Sequence, residues 1–174
     1  MMYEGGIRVP MICWWPGRID KGTRCDVPVM GMDFYPTFLE IAGADPSAYG
    51  LDGISLAPLI FQEGIPEREA IYWHFPAYLQ GSVKTKYPED LVKGWRAVPS
   101  GAIRKGDWKL IEDFEDKTHA LYNLAEDIGE TEDLSQKFPE KAAELLEDLL
   151  DWRKKTGAPV PVEPNPLYVN SDSK

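Results

Sequence analysis

The clearest apolar periodicity in the chain runs between positions 139 and 157. Pro139 is typical of the first turn of a helix, where its missing N–H costs nothing, and Gly157 is typical of a helix end. Between them, apolar residues recur every three or four positions: Ala142, Leu145, Leu146, Leu149 and Trp152. The pattern predicts an amphipathic helix that buries one face.

Upstream of this helix, apolar residues alternate with polar ones, which is typical of strands. The strands are predicted at 70–75, 100–104, 108–114 and 121–124. Gly106-Asp107 predicts a tight hairpin between the second and third. Trp108 and Leu110 alternate with Lys109, which predicts one buried face. A four-stranded antiparallel sheet with the C-terminal helix packed on one face is the simplest arrangement.

The first part of the chain has a different pattern. The apolar run at 7–15 predicts a buried strand, which Pro16-Gly17 ends. Asp33 predicts a helix cap, Gly43 predicts the end of that helix, and 56–61 predicts a short helical turn.

These patterns predict two units. The first, 1–66, is a strand-helix unit, and the second, 67–174, contains the antiparallel sheet, its helix and a Pro-rich tail. The fold class is therefore α/β (α+β).

Composition narrows the classes of function. The 174 residues carry a net charge of −10, so a basic surface for nucleic acid is not expected. No apolar run reaches the length of a membrane span, so no membrane partner is expected. Two cysteines do not form a disulfide framework, although a Cys13–Cys25 bridge stays open.

Two places carry candidate chemistry. Gly5-Gly6 permits a tight turn, and Glu4 and Arg8 flank it as an acid–base pair. From the pattern alone, this is a structural hairpin with a solvated ion pair. His74 lies in an alternating strand and is expected to face away from Trp73 and Phe75. A structural and a functional role for His74 both stay open.

A series of motifs, in order, resembles the sulfatase family of the alkaline-phosphatase-like superfamily. The motifs are Tyr3-Glu4-Gly5-Gly6-Ile7-Arg8-Val9-Pro10 with Trp15-Pro16-Gly17, Asp33-Phe34-Tyr35-Pro36-Thr37, Leu51-Asp52-Gly53-Ile54-Ser55-Leu56, Tyr72-Trp73-His74-Phe75-Pro76, Ala102-Ile103-Arg104-Lys105-Gly106-Asp107-Trp108-Lys109-Leu110-Ile111, Leu121-Tyr122-Asn123-Leu124 and Asn165-Pro166-Leu167-Tyr168. The resemblance covers nearly the whole chain. It implies a C-terminal portion, with a partial alkaline-phosphatase-like edge unit before the sheet.

The resemblance also implies an activity. Members of this family hydrolyse sulfuric esters, and the expected substrate is a sulfated carbohydrate. Their nucleophile is a formylglycine made from the first residue of C/S-x-P-S-R, and their usual metal is Ca²⁺. Neither Cys13 nor Cys25 has that spacing. No catalytic residue, metal ligand or cofactor is therefore expected in this chain, which is predicted to be inactive alone, whereas Ca²⁺ and formylglycine are expected in the full-length parent.

For the candidate residues, the resemblance implies specific roles. It implies that His74 contacts substrate, and that Glu4 and Arg8 support a neighbouring loop whose lysine contacts sulfate. The polar segment 79–95 is expected either to lie over the substrate cleft or to be a solvated insertion.

The expected partners are a missing N-terminal sulfatase domain and a sulfated sugar. Self-association through the uncovered first unit is also expected. The parent is expected to be periplasmic or secreted. Two alternatives stay open: a phosphonate or phosphodiester hydrolase of the same superfamily, and a non-catalytic structural or binding module.

Overall fold

The structure is a computed structural model that describes residues 2–79 and 97–163. It consists of two compact units, which are treated separately below. The larger unit combines 1–8 with 69–174, and the smaller unit is 9–68.

This division differs from the predicted one, which placed 1–66 in one unit and 67–174 in the other. The upper boundary lies within a few residues of the prediction. The difference is the N-terminal segment, because residues 1–8 belong to the larger unit. Met2 and Glu4 are buried against the sheet of that unit, and this burial accounts for the assignment.

The larger unit is built on one antiparallel sheet. Its strands follow one another in the order β1-β2-β3-β4. Gly106 has a φ of +61° in the turn between β2 and β3, a conformation that favours glycine. The elements of the whole chain are α1 (Glu4–Ile7), α2 (Phe34–Ile41), α3 (Ala57–Ile60), β1 (Ile71–Phe75), β2 (Ser100–Lys105), β3 (Trp108–Asp113), β4 (His119–Asn123) and α4 (Pro139–Thr156). The predicted four-stranded sheet and its hairpin are confirmed.

One face of the sheet packs against α4. The buried residues of this layer come from three strands, the preceding loop and the helix: Ile103, Leu110, Leu121, Leu134, Ala142, Leu145 and Leu149. Leu146 and Trp152 are partly buried against them. Gly157, with a φ of +66°, follows the last turn of α4. The predicted helix and its apolar stripe are therefore confirmed.

The other face of the sheet is also apolar and buried. Its core contains Met2 together with Ala102, Ile111, Tyr122 and Leu124. The sequence pattern predicted a single buried face, and that prediction is wrong. Both faces are covered because the N-terminal segment adds Met2 to the second one.

In the smaller unit, α2 ends in a Schellman motif. The N–H of Gly43 donates to Glu40 at 2.9 Å, and the N–H of Ala44 donates to Leu39 at 2.9 Å. Gly43 has a φ of +83°, which confirms its predicted place at the end of the helix. The predicted turn at 56–61 is confirmed as α3. Two 3₁₀ turns complete the unit, Gly31–Asp33 and Pro46–Tyr49.

The predicted strand at 7–15 is wrong. Residues 8–15 form no strand, and most of them are exposed, with Ile12 91% and Trp14 84% accessible. A strand is stabilised by pairing, and the described residues supply no neighbour for this segment. Local hydrophobicity therefore did not lead to burial here.

The two cysteines lie in this unit and are not joined. Cys13 and Cys25 are both free and exposed. Cys13 lies in the run at 7–15, so its exposure also contradicts the buried strand predicted there. Among the described residues, none of the helices combines the length and hydropathy that crossing a membrane requires.

Candidate functional site

A buried ion cluster connects the N-terminal segment to the sheet. Lys109 is 0% exposed, and its Nζ lies 2.9 Å from Glu4 Oε1 and 2.7 Å from Glu130 Oε1. The backbone N–H of Glu4 donates to Glu130 Oε2 at 2.5 Å. Each of the three residues therefore contacts the other two. We call this group the Lys109 cluster.

Each member is positioned by a different part of the chain. Lys109 lies in β3, which pairs with a strand on each side. Glu4 is the first residue of α1. Glu130 follows β4 and has a φ of +53°, a conformation that is uncommon for a residue with a side chain. The cluster thus joins residues that are 105 and 21 positions apart along the chain.

Nearby guanidinium groups balance the negative charge of the cluster. Glu4 lies 3.6 Å from Arg8 and 4.0 Å from Arg104, measured between carboxylate oxygen and guanidinium nitrogen. The Nζ of Lys109 lies 5.8 Å from the centre of the Trp73 ring. A buried ammonium is costly unless it is paired, so Lys109 depends on both carboxylates.

Glu4 and Arg8, the predicted supporting pair, do lie together, but they are buried to different extents. Glu4 is 6% exposed, whereas the side chain of Arg8 is half exposed. The sequence reasoning missed Lys109 and Glu130. A signal was present, because Ala102 and Ile111 alternate onto the same side of the sheet as Lys109, which indicates that this side is covered. The supporting role of Glu4 and Arg8 toward a sulfate-binding loop stays a prediction.

Next to Lys109, the rings of Tyr3 and Tyr122 meet. Their centroids are 6.1 Å apart in an edge-to-face arrangement. Burial raises the pKa of Tyr122, and the hydrogen bond with Tyr3 raises it further. The hydroxyl of Tyr122 therefore stays protonated to a higher pH than that of an ordinary tyrosine. The N-terminal segment keeps a neutral partner at Tyr122.

His74 faces the side of the sheet that carries α4. Its ring lies 5.4 Å from that of Phe114 and 6.3 Å from that of Trp152. Its Nε2 lies 2.7 Å from the carbonyl oxygen of Pro159, in the segment after α4. A carbonyl only accepts, so Nε2 carries the hydrogen and donates. Nδ1 is buried and has no hydrogen-bond partner among the described residues.

The surroundings of His74 are built by its neighbours across the sheet. Gly101 pairs with His74, and a Cβ on Gly101 would lie 3.1 Å from the Phe114 ring. The absence of a side chain there gives that ring its space. Arg153 lies over the same ring at 4.9 Å and pairs with Glu112. The predicted orientation of His74 agrees with this geometry, and its contact with substrate stays a prediction.

A second buried charge organises the smaller unit. Asp33 is fully buried, and its carboxylate accepts from Met30 N at 2.7 Å and Ile54 N at 3.1 Å and pairs with Arg68. It was predicted to cap α2, but its side chain makes no cap hydrogen bond there. The carboxylate instead binds the backbone before α2, at Met30, and the loop after α2, at Ile54. In the same loop, Leu56 N donates to the hydroxyl of Thr37 at 2.8 Å.

Within the described residues, no group of three or more His, Cys, Asp or Glu side chains is arranged to hold a metal ion. The predicted cleft segment 79–95, apart from residue 79, lies outside the described residues. So does the motif at 165–168.

Comparison with known proteins identifies the family. The family model described as N-sulphoglucosamine sulphohydrolase, C-terminal, matches residues 1–155. A sulfatase of Formosa agariphila is 34% identical over 173 residues, which cover 90% of this chain and 29% of that protein. The chain belongs to the sulfatase family and corresponds to its C-terminal portion.

Two further similarities concern sulfated sugars. An N-acetylglucosamine-6-O-sulfatase of Bacteroides thetaiotaomicron is 31% identical, over 88% of this chain and 26% of that protein. A solved structure described as a complex with its substrate D-glucosamine-2-N,6-O-disulfate is 27% identical with a TM-score of 0.52, over 72% of this chain and 24% of that chain. The chain thus spans less than a third of the relatives it matches. The solved neighbours share the alkaline-phosphatase-like fold of sulfatases, which confirms the predicted class.

Proposed function

We propose that this chain is the C-terminal portion of a sulfuric ester hydrolase that acts on a sulfated carbohydrate. The observation that carries the proposal is the family match over residues 1–155. The sugar class is supported by the relative named for N-acetylglucosamine-6-O-sulfate chemistry and by the solved complex with a disulfated glucosamine.

In this proposal the chain contributes to substrate recognition and structure, and the chemistry lies elsewhere. A formylglycine would supply the nucleophile and Ca²⁺ would stabilise charge on the sulfate oxygens. The sequence does not fit a formylglycine, and the residues that the structure describes do not fit the metal. Neither cysteine has the C-x-P-S-R spacing, and the described residues contain no metal-binding cluster. We therefore assign both groups to the rest of the whole protein, which is the partner that this chain requires.

The contribution that we assign to substrate binding is that of His74. Its ring is held between aromatic neighbours, and its Nε2 is engaged by the carbonyl of Pro159. A sugar hydroxyl or sulfate oxygen that accepts from Nε2 would replace that carbonyl. The segment after α4 would then have to move away from His74.

The experiment that tests the function uses the whole protein. It is incubated with a sulfated glucosamine, an aryl sulfate, an aryl phosphonate and a phosphodiester, each with added Ca²⁺. Release of sulfate from the sugar and the aryl sulfate is the expected result. Faster turnover of the phosphonate or the phosphodiester would replace the proposal with the alternative hydrolase, and no turnover of any ester would favour a non-catalytic module.

A further inference from the structure

We propose that Lys109 is a positioning residue for the proposed reaction: through Glu4 and Glu130 it fixes the N-terminal segment 2–8 on the sheet. The proposal rests on the proposed function, in which the reacting groups lie in the rest of the whole protein and segment 2–8 is taken to support them. The first part of the proposal is the docking of segment 2–8 on the sheet. It is tested by a measurement that needs no enzymatic activity.

The docking depends on a small number of contacts. Residues 2–8 form only one turn of helix, α1, which is far too short to be stable on its own. The segment is held by Met2 in the apolar layer, by the ring contact of Tyr3, and by Glu4. Of these three, Glu4 makes the charged contact.

Lys109 is suited to position the segment because its own place is rigid. It lies on β3, which is hydrogen-bonded to a strand on both sides. Its Nζ holds two carboxylates at once, and one of these, Glu130, also accepts the backbone N–H of Glu4. One ammonium group therefore holds the segment in two ways: directly through the side chain of Glu4, and through Glu130, which binds the backbone N–H of Glu4.

The chain offers a matched control on the other strand of the same hairpin. Lys105 also contacts several carboxylates, with Nζ at 2.8 Å from Asp148, 3.4 Å from Glu144 and 3.6 Å from Glu69. These contacts lead to α4 and to the residues just before β1, and not to the N-terminal segment. Lys105→Met thus removes the same group from the same hairpin without affecting the proposed docking.

The first test measures amide hydrogen exchange of the 174-residue chain. Lys109→Met is expected to raise exchange within residues 2–8 by about tenfold or more, because it leaves two buried carboxylates without their cation. Exchange within β2 and α4 is expected to change less than about twofold. Lys105→Met is expected to leave residues 2–8 unchanged.

Two results would overturn the docking. One is unchanged exchange within residues 2–8 in Lys109→Met. The other is an equal rise in β2, α4 and residues 2–8, which would show a loss of stability shared by the whole unit. If Lys109→Met does not fold, Glu4→Gln decides the matter, since it keeps the Lys109–Glu130 pair. Unchanged exchange within residues 2–8 in that variant would overturn the docking as well.

The second test measures steady-state kinetics of the whole protein with an aryl sulfate. Lys109→Met is expected to lower kcat by about tenfold or more while KM changes little, because a misplaced segment disturbs the alignment of reacting groups. Lys105→Met is expected to change neither constant. Unchanged kcat in a variant whose segment has undocked would refute the positioning role. If the unmodified protein hydrolyses no sulfate ester, the proposed function fails, and the exchange result still decides the docking.

Discussion

Gly53 lies directly against the backbone carbonyl of Met32. A Cβ at position 53 would come within 2.2 Å of that oxygen, a distance at which the backbone must shift. The same turn is held by the Asp33 carboxylate through Ile54 N. The Asp-Gly turn of the sequence motif is therefore a close approach of two backbone segments, which only glycine permits.

Gly53→Ala is expected to destabilise the smaller unit by about 2 kcal/mol or more, because an added methyl group in a filled space forces a displacement. The measurement is the urea midpoint of the 174-residue chain. Gly31→Ala is the matched control, since a Cβ there meets nothing within 4 Å. Equal midpoints for the two variants would contradict the close approach.

Acid is expected to weaken the larger unit through Asp133. Burial acts to raise the pKa of Asp133, but hydrogen bonds from Leu121 N at 3.0 Å and Ser135 N at 2.8 Å outweigh it, so the pKa lies below the ordinary 3.8. A carboxyl group whose pKa is lower in the folded state stabilises that state at pH values above its pKa in the unfolded chain. That stability is lost as the pH falls from the unfolded value of 3.8 through the folded one.

Asp133→Asn is therefore expected to flatten the dependence of stability on pH below 3.8 and to cost about 1 kcal/mol at neutral pH. Urea unfolding at several pH values measures both effects. Asp151→Asn removes the same charge from an exposed position on α4 and serves as the control. Parallel curves for Asp133→Asn and the unmodified chain would refute the assignment.

Self-association is expected to involve the apolar segment of the smaller unit. Val9, Ile12 and Trp14 are 79%, 91% and 84% exposed, and apolar surface of this kind favours association. Light scattering is expected to show a mass that rises with concentration, and the double change Ile12→Lys and Trp14→Lys is expected to reduce it. Val162→Lys, at a position 86% exposed in the other unit, should not. A constant monomer mass at all concentrations would disprove the prediction.

The role of His74 is tested by comparing two substrates in the whole protein. His74→Ala is expected to raise KM for the sulfated sugar by about tenfold, and to leave KM for a small aryl sulfate unchanged, because only the sugar reaches beyond the reacting group. His119→Ala, which changes an exposed residue at the start of β4, is the control. Equal effects of His74→Ala on the two substrates would place His74 outside the sugar site.

Elements whose local sequence pattern agrees with the tertiary structure could be predicted from the sequence alone. The helix from Pro139 and the turn at Gly106 follow from periodicity and from a backbone conformation that glycine favours. The end of α2 at Gly43 follows for the same reason. These features depend on neighbours within a few positions, so a single sequence shows them.

Features that depend on distant partners could not be predicted. Ala102 and Ile111 indicate that the side of the sheet carrying Lys109 is covered, but its partner Glu4 is 105 positions away and leaves no local pattern. The apolar run at 7–15 predicts a buried strand, but burial also requires a neighbouring strand. The contact of His74 with Pro159 spans 85 positions and leaves no local pattern.

We propose that this chain is part of a sulfuric ester hydrolase whose nucleophile and metal site lie in the rest of the whole protein. The most direct test compares the whole protein with the purified 174-residue chain on one aryl sulfate with added Ca²⁺. We expect turnover by the whole protein and only the buffer rate for the chain, because a positioned nucleophile and metal supply most of the acceleration. Turnover by the chain well above the buffer rate that survives repurification would contradict it.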